Sequence, residues 1–278
     1  MNFFNEILNS EIKIPKNPKR LISLCPSITE ILIKLNKIDK IVGISAYCKK
    51  YFKKLKKPIV GSYIDINIEA IKSLNPDLIL TLGPAQLKIS KMLHEIGYNV
   101  FSLKLPTTLY GIIENLITVG LLVNDYPKAH RIAMKMLKIL NKVLSDKPLK
   151  RPRIYFEVWL NEPYTVGALT FTNELIYFAG GINIFHDRIT SYFKPDFNEV
   201  ANLNPDILVF EFEQNKMQKR ISDLTAQRNW DNLTAVKHKR ILKLNWPSFS
   251  IAHPSLSSIH SIILLSKRIN ECIKIKSL

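Results

Sequence analysis

The stretch Val200-Ala201-Asn202-Leu203-Asn204-Pro205-Asp206-Ile207-Leu208-Val209 closes a helical pattern and opens an apolar strand. Ile71-Lys72-Ser73-Leu74-Asn75-Pro76-Asp77-Leu78-Ile79-Leu80 does the same 129 positions earlier, with an identical Leu-Asn-Pro-Asp tetrad. The local reading is simple. Proline disfavours the helical region for the residue before it, Asn-Pro-Asp turns the chain, and a branched aliphatic run follows as a buried strand. Any helix–strand corner could use this grammar. Its recurrence in both halves, with matching apolar flanks, predicts two related lobes.

Working outward, Leu21–Leu24, Ile41–Ile44, Leu78–Leu82 and Val100–Leu103 read as buried strands in the first half. Ile154–Val158, Ile207–Phe210 and Ile241–Leu244 repeat the theme in the second. Longer helical patterns separate them, which argues for parallel βα units and an α/β fold. Between the halves, Asp125 to Asp146 places Ile132, Met136, Ile139 and Val143 at helical spacing. A helix of that length spans ~30 Å. Pro127 fits its first turn, and Pro148 and Pro152 follow its end. The expected organisation is an N-terminal lobe over 1–123, a linking helix over 124–147 and a C-terminal lobe over 148–278. A single long connecting helix predicts small closure motions.

The formal charge is +17, from 40 Lys+Arg against 23 Asp+Glu. The lysines are spread along the chain, as on a solvated surface. The densest run, Lys49 to Lys57, spans only nine positions and holds no arginine or glycine, so a nucleic-acid partner is not expected. Cys25, Cys48 and Cys272 fit neither a zinc site nor a redox CxxC pair. Buried free thiols are expected, with a Cys25–Cys48 disulfide as the alternative. No apolar run reaches the ~18 residues of a spanning helix. Met1 to Arg20 lacks the long apolar stretch of a secretory signal. Two expectations stand on that point: an export signal outside this sequence, or a protein that stays inside the cell.

Catalytic grammar is missing. There is no GxGxxG or GxxxxGK[ST] phosphate loop and no Gly-x-Ser-x-Gly elbow. The histidines are dispersed; His253 and His260 alone share a helical spacing, which makes a poor metal site. The balance favours binding over catalysis, with no cofactor and no resident metal.

Pro18-Lys19-Arg20-Leu21-Ile22-Ser23-Leu24-Cys25-Pro26-Ser27-Ile28-Thr29-Glu30 resembles the opening of the cobalamin- and siderophore-type ABC substrate-binding proteins. Here a strand ends at Leu24 and Ser27 with Glu30 reads as a capping box that starts a helix. Its free N–H groups face the carboxyl end of the sheet, where open α/β folds bind ligands. Ile41-Val42-Gly43-Ile44-Ser45, Val60-Gly61-Ser62-Tyr63 with Ile68-Glu69-Ala70-Ile71, and Gly180-Gly181-Ile182-Asn183-Ile184-Phe185 look like further blocks of that family, in its order. Trp230, Leu233, Ala235-Val236-Lys237 and Arg240-Ile241 are similar to its closing strand approach. The resemblance covers most of 17–270 and is nearest the cobalamin-binding branch. It implies two Rossmann-like lobes with parallel sheets, joined by one rigid helix. A metal chelate, namely a corrinoid, a ferric siderophore or haem, would be held between the lobes and delivered to a membrane permease. The family resemblance further implies a monomer working outside the cytoplasm at the membrane; an intracellular sensor of the same fold is the alternative.

Loops after strands carry the candidate ligand contacts. Tyr47 and Tyr63 stand where the cobalamin branch has aromatics, Trp159 and Tyr164 follow the first strand of the second lobe, and Trp246 follows Ile241–Leu244. Flat amphipathic rings suit a large ring ligand. Ser27, Gly83 and Gly167 offer backbone approach. Each could equally be ordinary core or rim. Two features depart from the cobalamin branch: Tyr63 fills a slot that often holds tryptophan, and Gly83-Pro84-Ala85-Gln86 brings no aromatic. The resemblance also implies permease docking through one glutamate on each lobe. Glu69 takes that slot in the first. In the second, the tetrad spacing gives Asn198, with Glu199 beside it. Both acids also suit a solvated helix start.

Overall fold

In the computed structural model the described residues are 1–145, 151–159, 162–212, 221–245 and 253–274. The first half runs β1 (Asn2–Asn5), β2 (Ser10–Lys13), β3 (Leu21–Ser23), α1 (Pro26–Lys34), β4 (Ile41–Ile44), α2 (Ala46–Tyr51), α3 (Ile68–Ser73), β5 (Leu78–Leu82), α4 (Leu87–Glu95), β6 (Val100–Leu103) and α5 (Leu109–Leu122). The long α6 (Tyr126–Ser145) follows. Then come β7 (Arg153–Trp159), β8 (Pro163–Val166), α7 (Phe171–Phe178), β9 (Ile182–Asn183), β10 (Tyr192–Phe193), α8 (Phe197–Leu203), β11 (Ile207–Phe212), α9 (Ile221–Gln227), α10 (Thr234–Lys237), β12 (Ile241–Asn245) and α11 (Leu256–Lys274). Two compact units result. One comprises Met1–Pro106 with Tyr110–Met136, the other Thr107–Leu109 with Leu137–Leu278, so α6 starts in the first and ends in the second.

The first unit holds a parallel sheet of order β4-β3-β5-β6. All five residues of β5 are buried, as a strand covered on both faces must be, and this is why four of the five are leucine or isoleucine. A separate antiparallel hairpin, β1 with β2, precedes the sheet. It is fastened to β6 by an Asn5 amide bond to Ser102 O at 2.9 Å and by Phe3 edge-on to Phe101.

The second unit corrects the expectation of parallel sheets in both halves. Its order is β10-β8-β7-β11-β12, with β9 on β7. Strands β7, β11, β12 and β9 are parallel to their neighbours, but β8 runs antiparallel to both β7 and β10. The reason is chain length. β7 ends at Trp159 and β8 begins at Pro163. A parallel return needs a crossover of roughly a dozen residues, and this link is far too short.

The twin corners share one construction. Asn75 and Asn204 both adopt left-handed φ, +39° and +43°, which asparagine tolerates better than most residues. Asp77 Oδ2 accepts from the N–H of Lys19 (2.7 Å) and of Arg20 (2.9 Å), while Asp77 N–H donates to Arg20 O (2.8 Å). Asp206 Oδ2 accepts from Arg153 N–H and its own N–H donates to Arg153 O, both at 2.8 Å. Each corner thus seizes the residue leading into the strand next door.

Two local expectations shift. Helix α1 begins at Pro26, with Cys25 as the N-cap and no side-chain cap bond, so Ser27 and Glu30 form no capping box. Proline at the first helical position has its φ preset and lacks only an N–H that would be orphaned anyway, so the helix starts before Ser27. In α6 the buried stripe is Ala129, Ala133, Met136 and Leu140, whereas Ile132, Ile139 and Val143 are only half-buried. The rotation follows from the crossing with α5. A Cβ on Gly120 would lie 2.3 Å from Ala129 Cβ, so the two helices meet where both side chains are smallest. Among the described residues no helix is long and apolar enough to cross a membrane.

Candidate functional site

At the carboxyl end of β3 and β4, three tyrosines converge. Ser45 caps α2 by accepting the Cys48 N–H at 3.1 Å, which starts the helix directly after β4. Tyr47 and Tyr51 are four residues apart on that helix, hence on one face. Their rings sit edge-on with centroids 5.1 Å apart, and their hydroxyls are 3.1 Å apart. Tyr63 reaches Tyr47 from the following loop, with centroids 5.3 Å apart. All three are half-buried, so each keeps an accessible edge. Tyr51 was not singled out from the sequence; the i,i+4 spacing to Tyr47 was the signal.

Below the rings lies a polar floor. Cys25 Sγ is 3.2 Å from Ser27 Oγ, and Tyr63 is hydrogen-bonded to Cys25. Burial pushes the Tyr63 hydroxyl up, and the neighbouring Cys25 and Tyr47 add to it, so it stays a neutral donor. Burial likewise raises the Cys25 thiol, and raises Cys48 to about 12, against the bonds Cys48 receives from Ser45 and Thr29. All three cysteines are free and buried. Gln86, also missed in the sequence, stitches the floor together. Its amide donates to Tyr63 O (2.7 Å) and Leu24 O (3.1 Å), and its carbonyl accepts from Leu82 N–H (2.8 Å). The aromatic-free turn Gly83-Pro84-Ala85-Gln86 therefore supplies a buried clamp in place of a ring. Gly83 itself faces the N-terminal hairpin: a Cβ there would stand 3.0 Å from Ile7 Cγ2.

In the second unit, Trp159 ends β7 opposite Phe212 of β11 and Pro163 of β8; its side chain lies outside the described residues. Tyr164, one pair further along β8, donates to Glu162 Oε1 at 2.9 Å, and Glu162 pairs with Lys194 at 2.8 Å. Lys194 and the Tyr164 hydroxyl lower the Glu162 carboxyl. Trp246 lies outside the described residues. Gly167 is glycine for a reason internal to the fold: a Cβ would stand 2.5 Å from Thr190 O and 2.8 Å from Arg188 O. The Gly180–Phe185 block also has a mechanical reading. Gly180 takes φ +101°, a Cβ on Gly181 would strike Ile154 Cδ1 at 2.2 Å, and Asn183 donates to Val166 O while accepting from Phe185 N–H.

The docking candidates differ in their surroundings. Glu69 is exposed in the first turn of α3, behind the Asn67 cap. Asp196 caps α8, which makes Asn198 the positional equivalent of Glu69. Glu199, one residue on, is half-buried and paired with Arg188, whose guanidinium also stacks on Phe185 and Phe193. A buried ion pair that sequence reading missed lies nearby in the core: Arg228 grips both oxygens of Glu157 at 2.9 and 3.1 Å. Among the described residues no group of three or more His, Cys, Asp and Glu could hold a metal ion.

Comparison with known proteins agrees with this layout. A "Cobalamin-binding protein" of Halobacterium salinarum is 27% identical over 225 residues, covering 78% of this chain. The alignment spans 60% of that relative's own length. A "Vitamin B12-binding protein" of Yersinia pestis is 28% identical over 202 residues, 72% of this chain and 71% of the relative. The crystal structure of a possible iron-binding (periplasmic solute-binding) protein from Staphylococcus epidermidis superposes with a TM-score of 0.76 at 26% identity, over 91% of this chain and 99% of that one. Residues 21–245, from the first strand of one sheet to the last strand of the other, match the family described as "Periplasmic binding protein", whose members are the solute-binding proteins of ABC transporters, and the chain belongs to that family.

Proposed function

We propose that the chain is the capture component of an ABC importer for a metal-chelate nutrient, a corrinoid first and a ferric siderophore or haem next. The observation that carries this is the Tyr47–Tyr51–Tyr63 cluster at the carboxyl end of β3 and β4. Edge-on rings give a large planar ligand apolar contact, and their hydroxyls meet its polar rim. Trp159, Tyr164 and Trp246 are the proposed aromatic contributors from the second unit, with backbone approach at Ser27, Gly83 and Gly167. The two relatives named for cobalamin and vitamin B12 support the corrinoid over the other chelates. In this reading the protein works as a monomer on the extracytoplasmic side of the membrane. It presents Glu69 on one unit, and Glu199 or Asn198 on the other, to the permease.

The test is a titration with cyanocobalamin, cobinamide, haemin and a ferric hydroxamate, followed by tryptophan fluorescence and calorimetry. One-to-one binding of one of them, weakened at least about tenfold in Tyr63→Ala through loss of a ring contact, is the expected result. Absence of binding by all four sinks the proposal.

A further inference from the structure

Between Asp39 and Asp65 the chain carries no acidic residue, while lysines stand at 40, 49, 50, 53, 54, 56 and 57. One of these is structural. The Lys49 ammonium donates to Lys53 O (2.8 Å) and Leu55 O (3.0 Å), closing the turn after α2. Phe52 N–H to Cys48 O and Leu55 N–H to Phe52 O, both 2.9 Å, tighten the same turn. Downstream, Ile44 N–H to Pro58 O (2.9 Å), Val60 N–H to Ile44 O (3.0 Å) and Ala46 N–H to Gly61 O (2.8 Å) fasten the segment along β4. The loop is therefore held from inside and at both ends, and it presents Lys50, Lys53, Lys54 and Lys56 to solvent.

The same segment exposes two large aliphatic side chains, Ile59 at 50% and Ile64 at 66%. A soluble polyanion would engage the lysines and gain nothing from the isoleucines. A lipid surface uses both: ammonium groups meet headgroup phosphates, and apolar side chains enter the headgroup–acyl boundary. We infer that the 50–64 segment is a docking surface for an anionic lipid bilayer. This does not depend on which ligand the protein carries.

The test is flotation of the full chain with vesicles of phosphatidylglycerol and phosphatidylcholine, and with vesicles of phosphatidylcholine alone. Binding to the anionic vesicles only, falling with salt, is expected. Lys50→Gln/Lys53→Gln/Lys54→Gln/Lys56→Gln weakens it by on the order of a thousandfold, since each lysine near such a surface contributes about a factor of five. The matched control Lys88→Gln/Lys91→Gln/Lys135→Gln/Lys138→Gln, also at exposed positions, retains most of it. Ile59→Asn/Ile64→Asn weakens vesicle binding several-fold and leaves heparin binding unchanged. No binding to anionic vesicles, equal loss in both lysine variants, or indifference to the isoleucine changes overturns the inference. The pair Lys53→Gln/Lys54→Gln is read against Lys135→Gln/Lys138→Gln in the same way if a quadruple variant does not fold.

Discussion

Removing the Arg228 guanidinium strands a charge in the second unit. Glu157 on β7 is fully buried, and the Arg228 side chain is 5% exposed. The pair shares two charge-assisted bonds of 2.9 and 3.1 Å, and Tyr155 donates a third to Glu157 Oε2 at 2.5 Å. The guanidinium also lies over Phe197 and Trp230, 4.0 and 4.8 Å from their ring centroids. Arg228→Met keeps most of the stem packing and deletes the charge. Breaking a buried pair from one side costs about 3–5 kcal/mol, because the remaining ion loses its counter-charge in a site closed to water. Exposed pairs contribute about 0–1 kcal/mol, so the two situations are readily separated. The assay is urea unfolding followed by tryptophan fluorescence. All three tryptophans, at 159, 230 and 246, belong to the second unit, so the signal reports that unit in a chain whose two units need not unfold together. The double variant Arg228→Met/Glu157→Leu recovers most of the loss, since no buried charge remains. A single-variant loss below about 1 kcal/mol, or a double variant no more stable than the single, refutes the reasoning.

Further outcomes are expected elsewhere. Burial raises the Glu174 carboxyl, against the bond it accepts from Leu109 N–H, so its contribution to stability is fullest below the unfolded-state pKa and is lost as pH rises through the higher folded value. Glu174→Gln keeps an acceptor for Leu109, so denaturation at acid and alkaline pH should show a flatter stability profile than wild type; an unchanged slope counts against the assignment. Gly167→Ala forces a Cβ onto two backbone carbonyls and costs about 1–3 kcal/mol by denaturant titration, with wild-type stability the contrary result. Asp77→Ala and Asp206→Ala should each cost about 1 kcal/mol, and a neutral result at both would deny the corners their anchoring role. With all three thiols buried and Cys48 near 12, a disulfide-exchange reagent at mildly alkaline pH should label the native protein negligibly and all three sites after unfolding.

What the sequence disclosed follows from how local each signal is. Ile41–Ile44, Leu78–Leu82 and Val100–Leu103 are predominantly apolar runs, and their strand ends coincide with the structure. Pro163–Val166, Ile182–Asn183 and Tyr192–Phe193 are too short and mixed in character to carry a period, and they exist because β7 and its neighbours offer them partners. The N-terminal hairpin has no Asn-Gly or Asp-Gly turn; Asn9 takes φ +49° and Asn5 Oδ1 accepts the Leu8 N–H to close it. The same division holds at the site. Tyr47 and Tyr63 stand at strand ends that motifs mark, and the structure brings their rings together. Gln86 works through Leu24 and Tyr63, 62 and 23 positions away, and Arg228 reaches Glu157 over 71. No window of sequence contains both ends of such a bond. Ser27 shows the opposite hazard: a spacing that reads as a capping box was pre-empted by a proline one residue before it.

The twin aspartates also fix alignment. A hairpin sets the register of its strands through its turn, but β3 and β5, like β7 and β11, are parallel and have no turn in common. Sliding one by a residue would send every core side chain to the wrong face. Asp77 grips the backbone just ahead of β3, and Asp206 grips the first residue of β7, in a geometry that a one-residue slip would break. Each half thus carries its own indexing pin, set where the central strand pair begins. Swapping the two pins for asparagine should show first as slower or heterogeneous folding, before any loss of the finished structure.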